Sequence, residues 1–188
     1  LRKMRFDVFP RSFLLPAVPW KLSTSVPGVC GPIVLPSPYR ARYEGTGRHA
    51  FVSGDVPLTA GRHVWRVRVE GIDSEGGSAV LGVIEAGRRL ESSRSFEDCT
   101  FFGVETWRAG YRWVAGELSC DSGLGPIRNG DTLEFFLDID RGELFVTTLK
   151  DGRTAVFIGL PRVAAWVPHF HMYRPGNFLT VIVDQLEF

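Results

Sequence analysis

Residues 61–70, Gly-Arg-His-Val-Trp-Arg-Val-Arg-Val-Glu, put Trp65, Val67 and Val69 on one side of an extended chain and Arg66, Arg68 and Glu70 on the other. A period of two is the pattern of a strand with one wet face. The next apolar run, Ser78 to Ile84, has almost no polar interruption and is expected to lie deeper. Between them, Gly71 to Gly77 carries Asp73, Ser74, Glu75 and two adjacent glycines, residues that turn a chain by supplying positive φ or side-chain caps. The two runs read as neighbouring strands of a β-sandwich.

Short strand candidates recur from His49 onward, at 49–53, 62–70, 78–85, 101–106, 111–115, 132–139, 143–149, 154–157, 166–172 and 178–184, with turn signals between them. The clearest hairpin runs from Leu133, Phe135, Leu137 and Ile139 through Asp140-Arg141-Gly142 into Glu143–Val146. Lys150-Asp151-Gly152-Arg153 predicts the next turn, its Asp-Gly pair suited to positive φ. The one helical candidate is a turn or two within Leu90–Asp98. Residues 10–45 hold Pro10, Pro16, Pro19, Pro27, Pro32, Pro36 and Pro38, a spacing that forbids a continuous helix or a central strand. We read them as an arm of short strands and turns wrapped on the domain, anchored by Trp20, Leu22, Ile33, Val34 and Leu35.

The order of motifs resembles a known family. A G-x-H-x-W-x-V-x-V strand (Gly61–Val69), a strand ending L-G-V (Leu81–Val83), an aromatic-rich segment (Phe101–Trp113) and G-D-x-L (Gly130–Leu133) running into D-x-D-x-G (Asp138–Gly142) are similar to those of the SPRY domain, over roughly residues 45–186. The resemblance implies an all-β antiparallel sandwich of two twisted sheets. It also makes His63 a structural position preceding the strand tryptophan.

Length and composition fit this reading. A chain of 188 residues suits one domain, and a domain of this size buries about 70% of its unfolded surface. We expect a single unit over 1–188, with an arm at 1–45 and a sandwich core at 46–188. Starting at Leu1, it is expected to be excised from a longer protein. Cys30, Cys99 and Cys120 are odd in number and lack C-x-x-C spacing, which points to a reducing intracellular setting, cytoplasmic or nuclear, and away from a disulfide framework or zinc knuckle. A net charge of +1 argues against nucleic acid as a partner. The basic cluster Arg2, Lys3, Arg5 and Arg11 is interleaved with Phe6, Val8 and Phe9 and reads as an opening strand with a solvated face. No run approaches the ~20 apolar residues of a membrane span, and the first residues are not organised as a signal peptide.

No catalytic constellation emerges. His169 and His171 share a strand face at a spacing two metal ligands could use, but a third ligand must come from elsewhere, and structural histidines are the expectation. Asp138 and Asp140 enter a tight turn, where aspartates cap backbone donors, and the calcium-loop spacing is absent. Gly123-Leu124-Gly125 lacks the third glycine of a dinucleotide fingerprint, and no G-x-S-x-G elbow occurs. We therefore expect no enzyme, no cofactor and no metal.

The expected function is a non-catalytic protein-interaction module. Similarity to the adaptor-type SPRY domains of ubiquitin ligases implies a loop-lined pocket at one end of the sandwich, with Phe101 and Val104 near it and His171, Met172, Tyr173 and Arg174 in the loop before the last strand. Those adaptors often show a tryptophan where this chain has Met172 and Tyr173. Two further loops are read as framing the pocket: Ser37–Arg42 with Tyr39 and Arg40, and Ala86–Arg94 with Arg88, Arg89 and Arg94. Arginine pairs bidentately with carboxylates, so the partner, a protein or short peptide, is expected to offer an acidic motif. The alternatives are a carbohydrate-binding sandwich stacking sugars on Trp107, Trp113 and Tyr173, and a structural subunit of a stable assembly.

Overall fold

The computed structural model describes residues 20–24, 33–44, 49–72, 78–106, 110–119, 122–173 and 179–184. The basic amino-terminal cluster, the turn at 73–77, Cys30, Cys120, Trp107 and Arg174 lie outside them. The described strands are β1 (Leu22–Ser23), β2 (Ile33–Ser37), β3 (Arg40–Tyr43), β4 (His49–Gly54), β5 (Arg62–Glu70), β6 (Ser78–Glu85), β7 (Phe102–Glu105), β8 (Arg112–Val114), β9 (Glu117–Ser119), β10 (Thr132–Asp138), β11 (Glu143–Thr148), β12 (Thr154–Ile158), β13 (Trp166–Tyr173) and β14 (Leu179–Asp184). They form two antiparallel sheets. The front sheet runs β1-β4-β13-β6-β7-β8-β9 and the back sheet β12-β11-β10-β5-β14-β3-β2.

Alternation decides what enters the space between the sheets. From β5 and β10 of the back sheet, Trp65, Val67, Val69, Leu133, Phe135 and Leu137 point inward, and Phe102, Val104, Phe170 and Met172 meet them from the front sheet. Trp20 caps this core, edge-on to Trp65 and beside Phe170. On the outer face of the back sheet, cross-strand ion pairs, Arg66 with Glu134 at 2.8 Å and Arg62 with Asp138 at 2.9 Å, flank an edge-on contact of Phe136 with Phe145.

The hairpin turn after β10 is held by its aspartates. Asp138 accepts from the backbone N–H of Arg141 at 3.0 Å and from Arg62 Nε, and Asp140 accepts from the Gly61 N–H at 3.2 Å. At the next turn Gly152 takes φ +68°, the conformation the Asp-Gly pair predicts. Regular non-strand structure among the described residues is a single 3-10 turn, Ser95–Glu97, inside the segment predicted as weakly helical.

The proline-rich stretch differs from the expectation in two respects. Residues 33–43 do not wrap the sandwich from outside but supply β2 and β3, the last two strands of the back sheet. Pro36 is tolerated because β2 is the edge, where a missing N–H breaks no ladder on the open side. Ile33 and Leu35 pack on the core as expected, whereas Val34 faces solvent, 41% exposed.

Candidate functional site

On β13 every second side chain leaves the core, so His169, His171 and Tyr173 line the outer face of the front sheet while Phe170 and Met172 point inward. Registers extend this row across the sheet: His169 pairs with Ser53 on β4 and Gly82 on β6, Gly82 with Gly103 on β7, and Gly103 with Trp113 on β8. Two glycines side by side leave a notch. A Cβ on Gly103 would fall 2.7 Å from the Phe101 ring, so that ring lies directly over the glycine.

The segment 86–101 covers this face. Its Leu90, Phe96 and Phe101 join Phe51, Val80, Ile84 and Val167 in a second apolar cluster, with Trp113 packed against the rim. Charged side chains brace its solvent side. Asp98 accepts from Arg88 Nε at 3.1 Å and from both the N–H and the hydroxyl of Thr100, and Arg94 pairs with Glu97 at 3.1 Å. Burial alone would raise the Asp98 carboxyl, but the bonds from Thr100 and Arg88 outweigh it and hold it below its ordinary range. A groove of about 460 Å³ runs along the segment, lined by Arg88, Arg89, Glu91, Arg94, Glu97 and Cys99 among others.

Beneath the segment runs a chain of polar contacts. Ser53 Oγ lies 2.6 Å from His169 Nδ1, His169 Nε2 lies 2.6 Å from Ser95 Oγ, Ser95 Oγ lies 3.0 Å from His171 Nδ1, and His171 Nε2 lies 2.9 Å from His49 Nδ1. Burial pushes His169 down to about 3. It also holds His171 well below the ordinary imidazole value, with the neighbouring His49, His169 and Arg94 adding to the effect. His49, at the outer end, is lowered by burial and by Arg94, against the pull of Glu97. Its ring stacks on Tyr173 with centroids 4.6 Å apart, which brings the chain to the surface.

Solved structures share this arrangement of sheets. The SPRY domain of human HERC1 superposes with a TM-score of 0.66 at 15% identity, covering 83% of this chain and 94% of that one. The TRIM65 PSpry domain superposes with 0.67 at 16% identity, covering 89% and 90%. The fold is the SPRY fold. Stonustoxin contains the same SPRY-like arrangement, with a TM-score of 0.66 at 14% identity, and this chain spans 29% of it. No family profile matches the sequence, and no curated protein matches it either.

Set in the SPRY sandwich, the residues expected to bind a partner separate into three groups. Phe101, Val104 and Met172 are interior, each 0% exposed, and present no surface to a partner. Phe101 is covered because the glycine notch accepts its ring, and Val104 and Met172 because strand alternation turns them between the sheets. Tyr39, in the turn between β2 and β3, packs on the core, and Arg40 of β3 pairs with Glu70 at 3.3 Å, so they belong to the back-sheet side and do not share a surface with the loop 86–101. Arg88 and Arg89 lie in the groove and Tyr173 on the same outer face, half-buried against His49. Arg88 is already paired with Asp98, whereas Arg89 is exposed.

Ser53, Ser95 and His49 were not singled out by the sequence as parts of one site. One signal did exist: glycines at the centres of two strands mark places where something approaches the backbone closely.

Proposed function

We propose that the chain is a non-catalytic protein-interaction module which docks a peptide motif or a partner's folded surface on the loop-lined outer face of the front sheet. Such a module would serve as a scaffold or substrate-recognition domain of a larger intracellular assembly. The observation that carries the reading is the groove of the segment 88–99, with its exposed arginine, on the same face as the half-buried Tyr173 and His49 rings. Aromatic and arginine side chains on a rigid frame are the usual anchors of an interface, because they desolvate large area while keeping directed bonds. The SPRY fold of the solved neighbours fits this role. An acidic motif is the favoured partner chemistry through Arg89, since Arg88 and Arg94 already have carboxylates of their own.

Two observations weigh against other readings. The only serine set between imidazoles among the described residues, Ser95, is 1% exposed, so no substrate reaches it. Trp113 packs on Phe96 with centroids 4.5 Å apart and gives its N–H to Glu105 at 3.2 Å, which spends the surface a sugar ring would need. The exposed free thiol of Cys99 suits a reducing compartment. No helix among the described residues is long and apolar enough to cross a membrane.

The test is affinity capture with the purified chain beside an Arg89→Ala, Tyr173→Ala double variant whose fold is checked by thermal melting. A protein held by the parent and lost by the folded variant supports the docking face. Equal retention by both moves the site elsewhere.

A further inference from the structure

The loop 86–101 enters the buried histidine chain through one side chain. His49 and Ser53 come from β4, and His169 and His171 from β13; only Ser95 belongs to the loop. Its hydroxyl has one proton and two lone pairs, so it can donate to one imidazole while accepting from the other. Each neutral imidazole likewise has one N–H and one bare nitrogen. The four contacts therefore close as a single directional run, from Ser53 to His49 or the reverse, with all three rings neutral.

Added protons break that run in stages. A proton on His49 is accommodated, because its Nδ1–H then points at the bare Nε2 of His171. A further proton on His171 sets two N–H groups face to face across 2.9 Å. A proton on His169 creates an ion at 0% exposure with two hydroxyls for bonding partners. The described charged and titratable groups around the chain are Arg94, Glu97 and Asp98 of the loop, Tyr173 of β13 and Glu105 of β7, whose carboxylate accepts from Trp113. Arg94 opposes protonation of His49 and His171, Glu97 favours it at His49, and Asp98 favours it at His169.

Lifting the loop withdraws Ser95, Phe96 and Phe101 from the sheet and lets water reach both inner imidazoles, which then return toward an ordinary value of about 6.5. Opening the loop and binding protons are thus linked. We propose that the chain from Ser95 to the histidines is an acid-sensitive latch: the loop 86–101 lies closed on the front sheet while His169 and His171 are neutral and lifts as they protonate, uncovering the apolar face beneath Leu90, Phe96 and Phe101. For rings neutral in the closed form, each inner histidine multiplies the open-to-closed ratio by about ten between pH 7.4 and 5.5, and the two together by about 100. The latch concerns the loop that forms the proposed docking groove, but it rests on loop and sheet alone and is read without a partner. Its failure would leave the docking reading standing.

Amide hydrogen exchange of the whole chain, corrected for the intrinsic pH dependence of exchange, tests the latch at pH 7.4 and 5.5. Protection across residues 86–101 is expected to fall about 100-fold, at an opening free energy that lies below that of β5 and β10 at both pH values, and a His169→Gln, His171→Gln double variant is expected to lose the pH response. Unchanged loop protection in the parent, or loop amides that open only together with β5 and β10, at the same free energy, overturns the proposal. Should the double variant not fold, nitrogen spectra of the parent's imidazoles decide the question. His169 and His171 must be neutral at pH 7.4 and take up protons in the step in which the loop loses protection, and titration of either ring with the loop still protected overturns the latch.

Discussion

Trp65 and Phe135 stack face to face, ring planes 5° apart and centroids separated by 5.3 Å, at positions that β5 and β10 hold in register. The pair sits at the centre of the sandwich, where Trp20 meets the edge of Trp65. Trp65 Nε1 has no hydrogen-bond partner among the described residues.

Truncating this pair is expected to be costly and trimming it cheap. Trp65→Ala should destabilise the fold by ~3–5 kcal/mol, the range for emptying a large aromatic site. Trp65→Phe leaves a smaller cavity and removes the unpaired donor, so it should cost under ~1.5 kcal/mol. Urea unfolding of the two variants beside the parent checks the contrast.

The glycine notch makes a second prediction. A Cβ on Gly82 would fall 2.0 Å from the Phe102 carbonyl oxygen and 2.7 Å from Gly103 Cα, backbone atoms that cannot swing aside. Gly82→Ala is expected to lower stability by at least ~1–3 kcal/mol through overpacking. Phe101→Ala, which empties the notch, should cost ~3–5 kcal/mol. A folded, fully stable Phe101→Ala chain would contradict the burial of that ring.

Buried neutral histidines give stability a pH dependence of defined sign. The unfolded chain binds protons at imidazole from about pH 6.5 downward, while His169 beneath the closed loop stays neutral until about 3. Its contribution is therefore complete above pH 6.5 and is lost as the pH falls from there toward 3. Asp98, held low, contributes above its ordinary 3.8 and loses that contribution only below it, so it does not shape the interval from pH 7 to 5. Over that interval His169 alone should remove about 2 kcal/mol. Unfolding free energies at the two pH values, for the parent and for His169→Gln, should differ in their pH response by about that amount.

The β10–β11 turn separates a buried carboxylate from its exposed partner. The Asp138 side chain is 3% exposed and binds both the Arg141 backbone and Arg62, whose own side chain is 45% exposed. Asp138→Ala removes the buried carboxylate that accepts from both the turn N–H and Arg62 and should cost ~1–3 kcal/mol, while Arg62→Ala should cost under ~1 kcal/mol. Thermal melts of the two variants would show the ordering.

Much of the sandwich was readable as a pattern. β4, β5, β6 and β10–β14 each alternate or run apolar over five to nine residues, long enough for the period to show. β9 and β8, of three residues each, are too short for periodicity, and only β8 was anticipated, by its aromatic residues. β2 was hidden by Pro36, which excludes a central strand and leaves an edge strand open. The site was less legible. Spacing placed His169 and His171 on one face, yet nothing local to β13 indicates that Ser95, 74 and 76 residues away, closes between them.

Which side chains alternate is local, because successive Cβ atoms of an extended chain point to opposite sides whatever surrounds them. The longer strands, the hairpin turns and the division of β5 into an apolar and a charged face follow from that rule and from turn chemistry, so the sequence alone determined them. Which face is dry is not local. Phe101 and Met172 both looked like candidates for a partner's surface, and both are interior, one beneath its own loop in a glycine notch and the other between the sheets. That outcome depends on where the loop 86–101 lands and on which two sheets enclose the core, and only long-range packing fixes either.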